Sequence, residues 1–317
     1  MERVTVGKYI ARRILLMVPI VLGVATLSFV LMQLAPGDPA AAYLGDKATP
    51  ETVAQLRHAW GLDQPFLIQY FQFLGGLVVG DFGPSFIFQT SVLELLKLRM
   101  PATLMLMLVS VIFAVAISIP ISLWVAATKS PTAAIISRIF TATVQGMPAF
   151  FVGTLLILVL GVNTGLFPVG GYGRNLGEHL YSLVLPGIAV ALTICPVLIR
   201  SLTAALNDSL SAEYTNFAMS KGLSRSKTVT NYAFRNAGIT GISILGIQVG
   251  HLVGGALIVE NVFAIPGAGS LLMQSVLARD YNVVQALTVV FGILVVLVYL
   301  LTDIVYSAVD PRVRLGG

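Results

Sequence analysis

Charged residues are scarce in this chain of 317 residues, where Asp, Glu, Lys and Arg together make up only 10% of the sequence. Soluble domains carry about 25% charged residues, because their surfaces must be hydrated. Hydrophobic residues account for 56% of the chain instead. The shortage of charge therefore excludes a soluble globular protein and indicates a surface that faces lipid.

Cysteine and histidine are also rare. A single Cys195 excludes a disulfide framework and a cysteine-built metal site, and the histidines at 58, 179 and 251 share no ligand spacing. The net charge of +5 is a mild excess and forms no basic stripe. We therefore expect no bound metal and no nucleic-acid partner.

Motifs for catalysis are missing as well. The chain has no Gly-x-x-x-x-Gly-Lys-Ser/Thr loop for nucleotide phosphates, no His-Glu-x-x-His and no Gly-x-Ser-x-Gly. Its long apolar runs contain no Asp, Glu, Lys or Arg, although ion-coupled carriers usually keep such groups at mid-membrane. We expect a non-catalytic chain that binds no cofactor and receives its energy from another subunit.

Six uncharged apolar stretches are long enough to cross a bilayer, whose hydrocarbon core of about 30 Å requires roughly 20 helical residues. They are continuous and about twice as long as the strands of a membrane barrel, which would also alternate in polarity. The sequence therefore predicts an all-α polytopic membrane protein with six transmembrane helices, at residues 14–34, 100–128, 139–162, 180–199, 236–259 and 281–302.

A seventh apolar run, Phe66–Val79, has 14 residues and is better explained as an interfacial or buried helix than as a span. With six spans and an internal N-terminus, the internal segments hold 13 basic residues and the external ones 6. A seventh span would move the five basic residues of 200–235 outside, against the positive-inside rule. We expect both termini in the cytoplasm, and three regions: residues 1–35 with the first span, an extracytoplasmic loop with short helices at 36–99, and a five-helix core at 100–317.

The cytoplasmic segment 200–235 carries a helical pattern. Apolar residues recur at spacings of three or four, which predicts an amphipathic helix running to about Lys221 and closed by Gly222. The residues on its apolar face are Leu206, Leu210, Tyr214, Phe217 and Ala218. The pattern alone fits either a solvated basic connector or a docking element.

Several ordered fragments resemble one family. They include Tyr9-Ile10-Ala11-Arg12-Arg13, Pro36-Gly37-Asp38-Pro39, Gly80-Asp81-Phe82-Gly83, Val262 to Gly269, and Asp310-Pro311-Arg312-Val313-Arg314. Over nearly its whole length the chain is similar to the inner-membrane permease subunits of bacterial ATP-binding-cassette importers, in the dipeptide/oligopeptide branch. The resemblance implies a type I importer-like fold in the bacterial inner membrane.

The resemblance also implies partners. In that family a second homologous permease, two ATPase subunits that bind ATP and Mg, and an extracytoplasmic binding protein complete the importer. The implied cargo is di- or oligopeptides, although relatives carry nickel chelates, haem or oligosaccharides. A self-sufficient secondary carrier and a structural scaffold or passive channel are the rival classes, and they lack such an ATPase dependence.

By the same resemblance, residues 214–235 correspond to the loop that couples the permease to its ATPase, with a short helix seated in a groove of that subunit. Tyr214, Phe217 and Ala218 would supply apolar anchors and Lys221 and Arg225 the rim, while Gly222 matches the family's glycine. Asn216 departs from the family pattern, which favours an acidic residue there, so ion pairing at this position is not implied.

The fifth and sixth predicted spans carry further candidates. Gly246, Gly250 and Gly254 lie on one helical face, where they favour tight packing or form a smooth wall of the pathway. The deepest polar side chains bond between helices or line the path; they are Gln145, Gln248, His251 and Gln285. Glu260, followed by Phe263, either marks an interfacial helix end or acts as an outer gate or binding-protein contact.

Overall fold

The computed structural model describes residues 6–34 and 37–309, with side chains for 15–34, 37–215 and 217–305. Within these ranges every named element is a helix, which confirms the predicted all-α fold. The α-helices are α1 Val6–Leu34, α2 Pro39–Leu44, α3 Pro50–Ala59, α4 Phe66–Val79, α5 Val92–Thr128, α6 Pro131–Gln145, α7 Ala149–Leu156, α8 Leu176–Ser182, α9 Val184–Ser211, α10 Glu213–Ser220, α11 Arg225–Thr228, α12 Phe234–Val262, α13 Ala268–Ala278 and α14 Tyr281–Val309.

Five of the six predicted spans correspond to single long helices: α1, α5, α9, α14, and α12 together with the residues from Arg225 that lead into it. The 37 residues of α5 make a helix of about 55 Å, longer than the hydrocarbon core. Its first turns, which carry Glu94, Lys97 and Arg99, therefore reach beyond the apolar layer. The π-helical residues Val229–Ala233 join α11 to α12.

The predicted third span, 139–162, is wrong as an uninterrupted helix. The structure divides it into α6 and α7, the latter continuing through the π-helical Ile157–Asn163, with a bend of 103° between them. Pro148 causes the break, because proline cannot donate a helical hydrogen bond and disfavours the helical conformation of the residue before it. Each half is too short to cross a bilayer alone. The described helices therefore provide five spans, or six if the two halves are counted together as one.

The loop after α1 contains α2, α3 and α4, and a capping residue fixes one end of each helix. Asp38 caps α2 by accepting a hydrogen bond from the Ala40 N–H at 2.9 Å. Thr49 and Thr52 form a reciprocal capping box at the start of α3, with Pro50 in the first turn. Gly80, at φ +75°, closes α4, whose predicted bounds at 66 and 79 are confirmed.

The chain forms two compact units. One contains residues 10–103 and 266–296, here called the outer-loop unit; the other contains 104–265 with the described residues 6–9 and 297–309, here called the core unit. The predicted division at 35 and 99 stays a prediction, and these units follow other boundaries. A buried cluster in the core unit joins α5, α9, the π-helical Val229–Ala233 and the start of α12; its members are Ala126, Leu202, Leu206, Leu210, Val229, Ala233 and Ala237.

The helix predicted to run from Leu206 to Lys221 is wrong in its bounds. Leu206 and Leu210 belong to α9, are at most 6% exposed and lie in this cluster. Burial of each leucine stabilises the fold by about 1.5–3 kcal/mol. The apolar face that these two leucines form therefore packs inside the chain. The separate short helix α10 follows after Ala212.

Candidate functional site

The segment between α9 and α12, residues 212–233, is here called the coupling segment. Its first turn depends on Thr215, which is fully buried. The Thr215 Oγ1 hydroxyl lies 2.7 Å from the Ala212 carbonyl and 3.0 Å from those of Ser209 and Leu210. This hydroxyl meets the carbonyls at the end of α9, which have no partner within the helix, and so fixes where α10 begins.

The glycine predicted to end the helix does so. Gly222 has φ +88°, a conformation that side-chain-bearing residues rarely adopt. Its N–H donates to the Met219 carbonyl at 3.0 Å, and the Leu223 N–H donates to that of Ala218 at 3.3 Å. The chain thereby turns sharply out of α10, in the manner of a glycine-capped helix end.

Two of the three predicted apolar anchors are exposed on α10. The exposed fraction is 61% for Phe217 and 41% for Tyr214, but only 6% for Ala218, whose side chain faces its own chain. The Lys221 ammonium lies 4.5 Å from the centroid of the Phe217 ring. The result is an exposed aromatic and basic surface, formed by Tyr214, Phe217 and Lys221 and here called the α10 face. The side chain of Asn216 lies outside the described residues.

Arg225, predicted at the rim of this surface, is instead directed into the core unit. Its Nε and Nη2 atoms donate to the Ala126 carbonyl at 3.1 and 2.9 Å, so the guanidinium is hydrogen-bonded to the last turn of α5. On the other side, the Asn236 amide donates to the Tyr214 hydroxyl at 2.8 Å and joins α10 to α12. The coupling segment is therefore fastened to two long helices.

The glycines on α12 differ in what they face. The side chain of Thr302 on α14 occupies the space that a Cβ at Gly246 would need, and the Tyr299 hydroxyl lies 2.8 Å from such a Cβ at Gly250. At Gly254 no atom of the described residues lies within 4 Å of such a Cβ. Gly246 and Gly250 thus permit close packing within the core unit, whereas Gly254 borders open space.

The predicted polar path residues are not one cluster. Gln145 ends α6 at the break and is exposed, as is His251 on α12, while Gln248 is half-buried. These three belong to the core unit. Gln285 belongs to the outer-loop unit, is only 6% exposed and lines a cavity there with Gln33, Gln69 and Gln72. A pathway role for the four stays a prediction.

Glu260 and Phe263 are both buried in the core unit, at 0% and 1% exposure. The Gly171 N–H donates to the Phe263 carbonyl at 2.8 Å, and the Phe263 ring lies 3.0 Å from the position of a Cβ on Gly153. Neither side chain presents a surface in this conformation, so direct contact with a binding protein does not fit this burial. A gate role remains a prediction.

Comparison with known proteins identifies the family. Residues 118–315 match the family described as binding-protein-dependent transport system inner membrane component, and residues 6–107 match its N-terminal part. The chain belongs to this family. Together the two matches cover most of the chain, as the resemblance predicted.

Relatives of this permease family align along almost their whole length. The Bacillus subtilis oligopeptide transport system permease protein AppB is 38% identical over 314 residues, covering 96% of this chain and 99% of the relative. The dipeptide transport system permease protein DppB of Lactococcus lactis is 33% identical, covering 97% and 99%. The glutathione transport system permease protein GsiC of Salmonella choleraesuis is 33% identical, covering 96% and 98%.

A solved structure shares the permease fold. A chain of the MetNI methionine ABC transporter in an inward-facing conformation superposes with a TM-score of 0.57 at 20% identity, covering 68% of this chain and 97% of that chain. The predicted type I importer-like permease fold is thus confirmed, as is the prediction of a multi-pass inner-membrane permease subunit of an ATP-binding-cassette importer.

Sequence reasoning missed several residues that shape the coupling segment. Thr215 and Asn236 carried no recognisable spacing, because their partners are a helix end and a tyrosine 22 positions away. The break at Ala212 left a weak signal, an alanine flanked by Ser211 and Glu213. A serine followed by a potential first-turn acid is compatible with a helix start as well as with a helix interior.

Proposed function

We propose that this chain forms one half of the translocation path of an ATP-driven importer for short peptides. A second, homologous permease completes the path, two ATPase subunits bind ATP and Mg²⁺, and an extracytoplasmic binding protein delivers the cargo. The chain itself catalyses nothing and binds no cofactor. The excess of basic residues in the internal segments supports a topology with both termini in the cytoplasm.

The observation that carries this proposal is the α10 face and its attachments. An exposed aromatic pair on a short helix is typical of helix-in-groove docking, in which apolar side chains enter a groove of the partner. Closure of the ATPases would move α10 as a rigid lever. The Arg225 grip on Ala126 and the bond between Tyr214 and Asn236 would then pass that movement to α5 and α12.

Short peptides are the proposed cargo because of the relatives' names. The proteins similar to this chain are named for oligopeptide, dipeptide and glutathione transport, and these three cargoes share amide-linked amino acids. The test is uptake of a labelled tripeptide into liposomes that contain the assembled importer, with a nickel chelate, haem and an oligosaccharide as alternative cargoes. ATP-dependent uptake of the tripeptide supports the proposal, and preference for another cargo contradicts it.

Docking of α10 is tested by crosslinking. With the buried Cys195 replaced by alanine, a Phe217→Cys variant whose thiol carries a photoreactive crosslinker should label an ATPase subunit, and ATP should change the yield of the crosslinked product. Thr164→Cys, on a loop proposed to lie outside, is the matched control and should not crosslink. Gradient-driven uptake by liposomes holding this chain alone would favour a secondary carrier instead.

A further inference from the structure

A half-open cavity lies within the outer-loop unit, and the proposed function does not use it. Its volume is about 290 Å³, close to the lower end of the range of about 300–1,000 Å³ for small-molecule sites. Buried Phe29 and Phe86 and the side chain of Gln285 line its depth, while the more exposed Gln33 and Gln72 line its rim.

Gln285 is the unusual member of this cavity. Its side chain is only 6% exposed, its carboxamide has no hydrogen-bond partner among the described residues, and neither of its polar atoms is fully buried. By contrast, Gln69 donates to the Gln64 carbonyl at 2.8 Å and accepts from the Gln33 amide at 2.8 Å. Because these polar atoms keep some accessible surface and Gln285 lines the cavity, its carboxamide is available to a ligand there.

The lining favours an amide-bearing ligand over an anionic one. Among the described residues that line this cavity, none is Lys or Arg, and the charged group present is the exposed Asp81. Carboxamides offer both donors and acceptors, as a peptide bond requires. Trp60, stacked on Phe86 at 3.9 Å between ring centroids, adds an aromatic wall for an apolar side chain or an ammonium group.

A second cavity continues the first. It has a volume of about 190 Å³ and shares Gln33, Leu62, Gln69 and Tyr281 with its neighbour. Its lining includes Arg57, whose half-exposed side chain lies 3.8 Å from the carboxylate of Asp38 in the same cavity. The first cavity thus carries the carboxylate of Asp81, and the second carries the guanidinium of Arg57 together with the carboxylate of Asp38.

We propose that these adjoining cavities bind a short zwitterionic peptide before it is transported. The peptide's main-chain amide pairs with Gln285 and Gln72, its ammonium group lies toward Asp81, and its carboxylate lies toward Arg57. This assignment rests on the proposed function for the choice of ligand class, but binding at this site requires neither ATP nor transport. We call it the outer peptide site.

The test uses the assembled importer without its binding protein and a radiolabelled tripeptide, trialanine, in equilibrium dialysis. Gln285→Leu, which keeps the side-chain size but removes the hydrogen bonds, should weaken binding about tenfold. Gln55→Leu makes the same change on the exposed surface of α3, outside both cavities, and should bind as the unmodified chain does. Acetylation or amidation of the peptide should each weaken binding about two- to fivefold.

A second variant and a photolabelling experiment also test the outer peptide site. Gln72→Trp changes an exposed rim residue, so the fold should be retained while the indole fills the entrance, and this variant should abolish binding. A tripeptide with a photoreactive phenylalanine should label residues between 60 and 86. Unchanged binding in both variants, labelling elsewhere, or equal competition by maltotriose would overturn the outer peptide site.

Uptake separates this proposal from the proposed function. If peptide transport were the wrong function, ATP-driven uptake would be missing although the photoreactive peptide still labelled this site. If the outer peptide site were wrong, uptake would proceed while Gln285→Leu and Gln72→Trp behaved as the unmodified chain in dialysis. Each failure therefore has its own signature.

Discussion

Close packing between α12 and α14 depends at the residue scale on Gly246. A Cβ there would collide with the Thr302 side chain, whereas Gly254 has open space around it. Gly246→Ala should therefore lower the free energy of unfolding by about 1–3 kcal/mol. Gly254→Ala should leave it unchanged or raise it by up to about 1 kcal/mol, since alanine favours helix. Denaturant unfolding of the purified chain in detergent measures both, and equal losses would contradict this packing.

A second prediction at the residue scale concerns the hydrogen bonds of Arg225. Its two N–H donors meet one carbonyl, that of Ala126, and a lysine cannot reproduce this forked geometry. Arg225→Lys should lower the free energy of unfolding by about 1–2 kcal/mol and reduce the stimulation of ATP hydrolysis by loaded binding protein. Lys227→Gln, two residues away and exposed, is the control and should retain that stimulation. Identical behaviour of both variants would argue against the grip on α5.

His58 and Asp63 form an exposed pair in the outer loop, with the His58 Nδ1 and the Asp63 Oδ2 2.7 Å apart. The hydrogen bond and charge of Asp63 raise the pKa of His58 above 6.5, and His58 in turn lowers the pKa of Asp63 below 3.8. The pair therefore stabilises the loop most between about pH 4 and 6.5. This contribution is lost as the pH rises through the His58 pKa, or falls through that of Asp63.

NMR titration of labelled histidine checks this pair. The His58 resonance should titrate above pH 6.5 in the unmodified chain and return toward 6.5 in Asp63→Asn. The chemical shifts of His179, whose ring stacks on Tyr172 outside this pair, should not change on Asp63→Asn at a fixed pH, which shows that the fold is retained. A His58 midpoint that ignores Asp63→Asn would refute the interaction.

For the coupling segment, the sequence predicted the local features of single residues well. It did not predict which distant residues they contact. The sequence predicted Gly222 as the helix end, because a positive φ is a local property of the backbone. It did not predict that Arg225 turns inward, since the acceptor, Ala126, lies 99 positions earlier in the chain. Nor could it separate Gly246 from Gly254, because the difference lies in which side chains α14 brings opposite each glycine.

At the element scale, the next prediction concerns Gly222, the residue that ends α10. Gly222→Ala would force a Cβ into the left-handed conformation, at a cost of about 1–2 kcal/mol. We expect the last turn of α10 to rearrange and ATP hydrolysis to lose its stimulation by loaded binding protein, while the complex still assembles. Gly238→Ala, in a helical and unobstructed position on α12, should leave this stimulation intact. Normal stimulation in Gly222→Ala would mean that the α10 turn transmits nothing.

Apolar length predicted the long helices well and their interruptions poorly. The requirement of about 20 apolar residues per span identifies α1, α5, α9, α12 and α14, because burial in lipid dominates their energetics. The break between α6 and α7 lies inside an equally apolar run, so hydropathy passes over it. Proline at 148 was a visible cause, but prolines at 19 and 196 lie inside α1 and α9 without ending them. The presence of a proline therefore does not by itself identify which apolar run is interrupted.

The topology of the whole molecule depends on that bent pair. If α6 and α7 together cross the bilayer, their two ends lie on opposite sides; if they form a re-entrant loop, both ends lie on the same side and the coupling segment moves outside. The basic residues of 200–235 favour the crossing, because the positive-inside rule keeps them in the cytoplasm. The crossing also keeps the α10 face where an ATPase can reach it.

Cysteine labelling distinguishes the two topologies. In a Cys195→Ala background, Thr132→Cys near the start of α6 should react with an impermeant maleimide only after cells are opened. Thr164→Cys, just beyond Asn163, should react in intact spheroplasts, and Phe217→Cys on α10 should again require opening. All three positions are exposed to reagent in the isolated chain, so accessibility reports the side of the membrane rather than burial. If Thr132→Cys and Thr164→Cys both react only after cells are opened while Phe217→Cys reacts in intact spheroplasts, both ends of the bent pair lie in the cytoplasm, the coupling segment lies outside, and the physical basis for cytoplasmic coupling through α10 is lost.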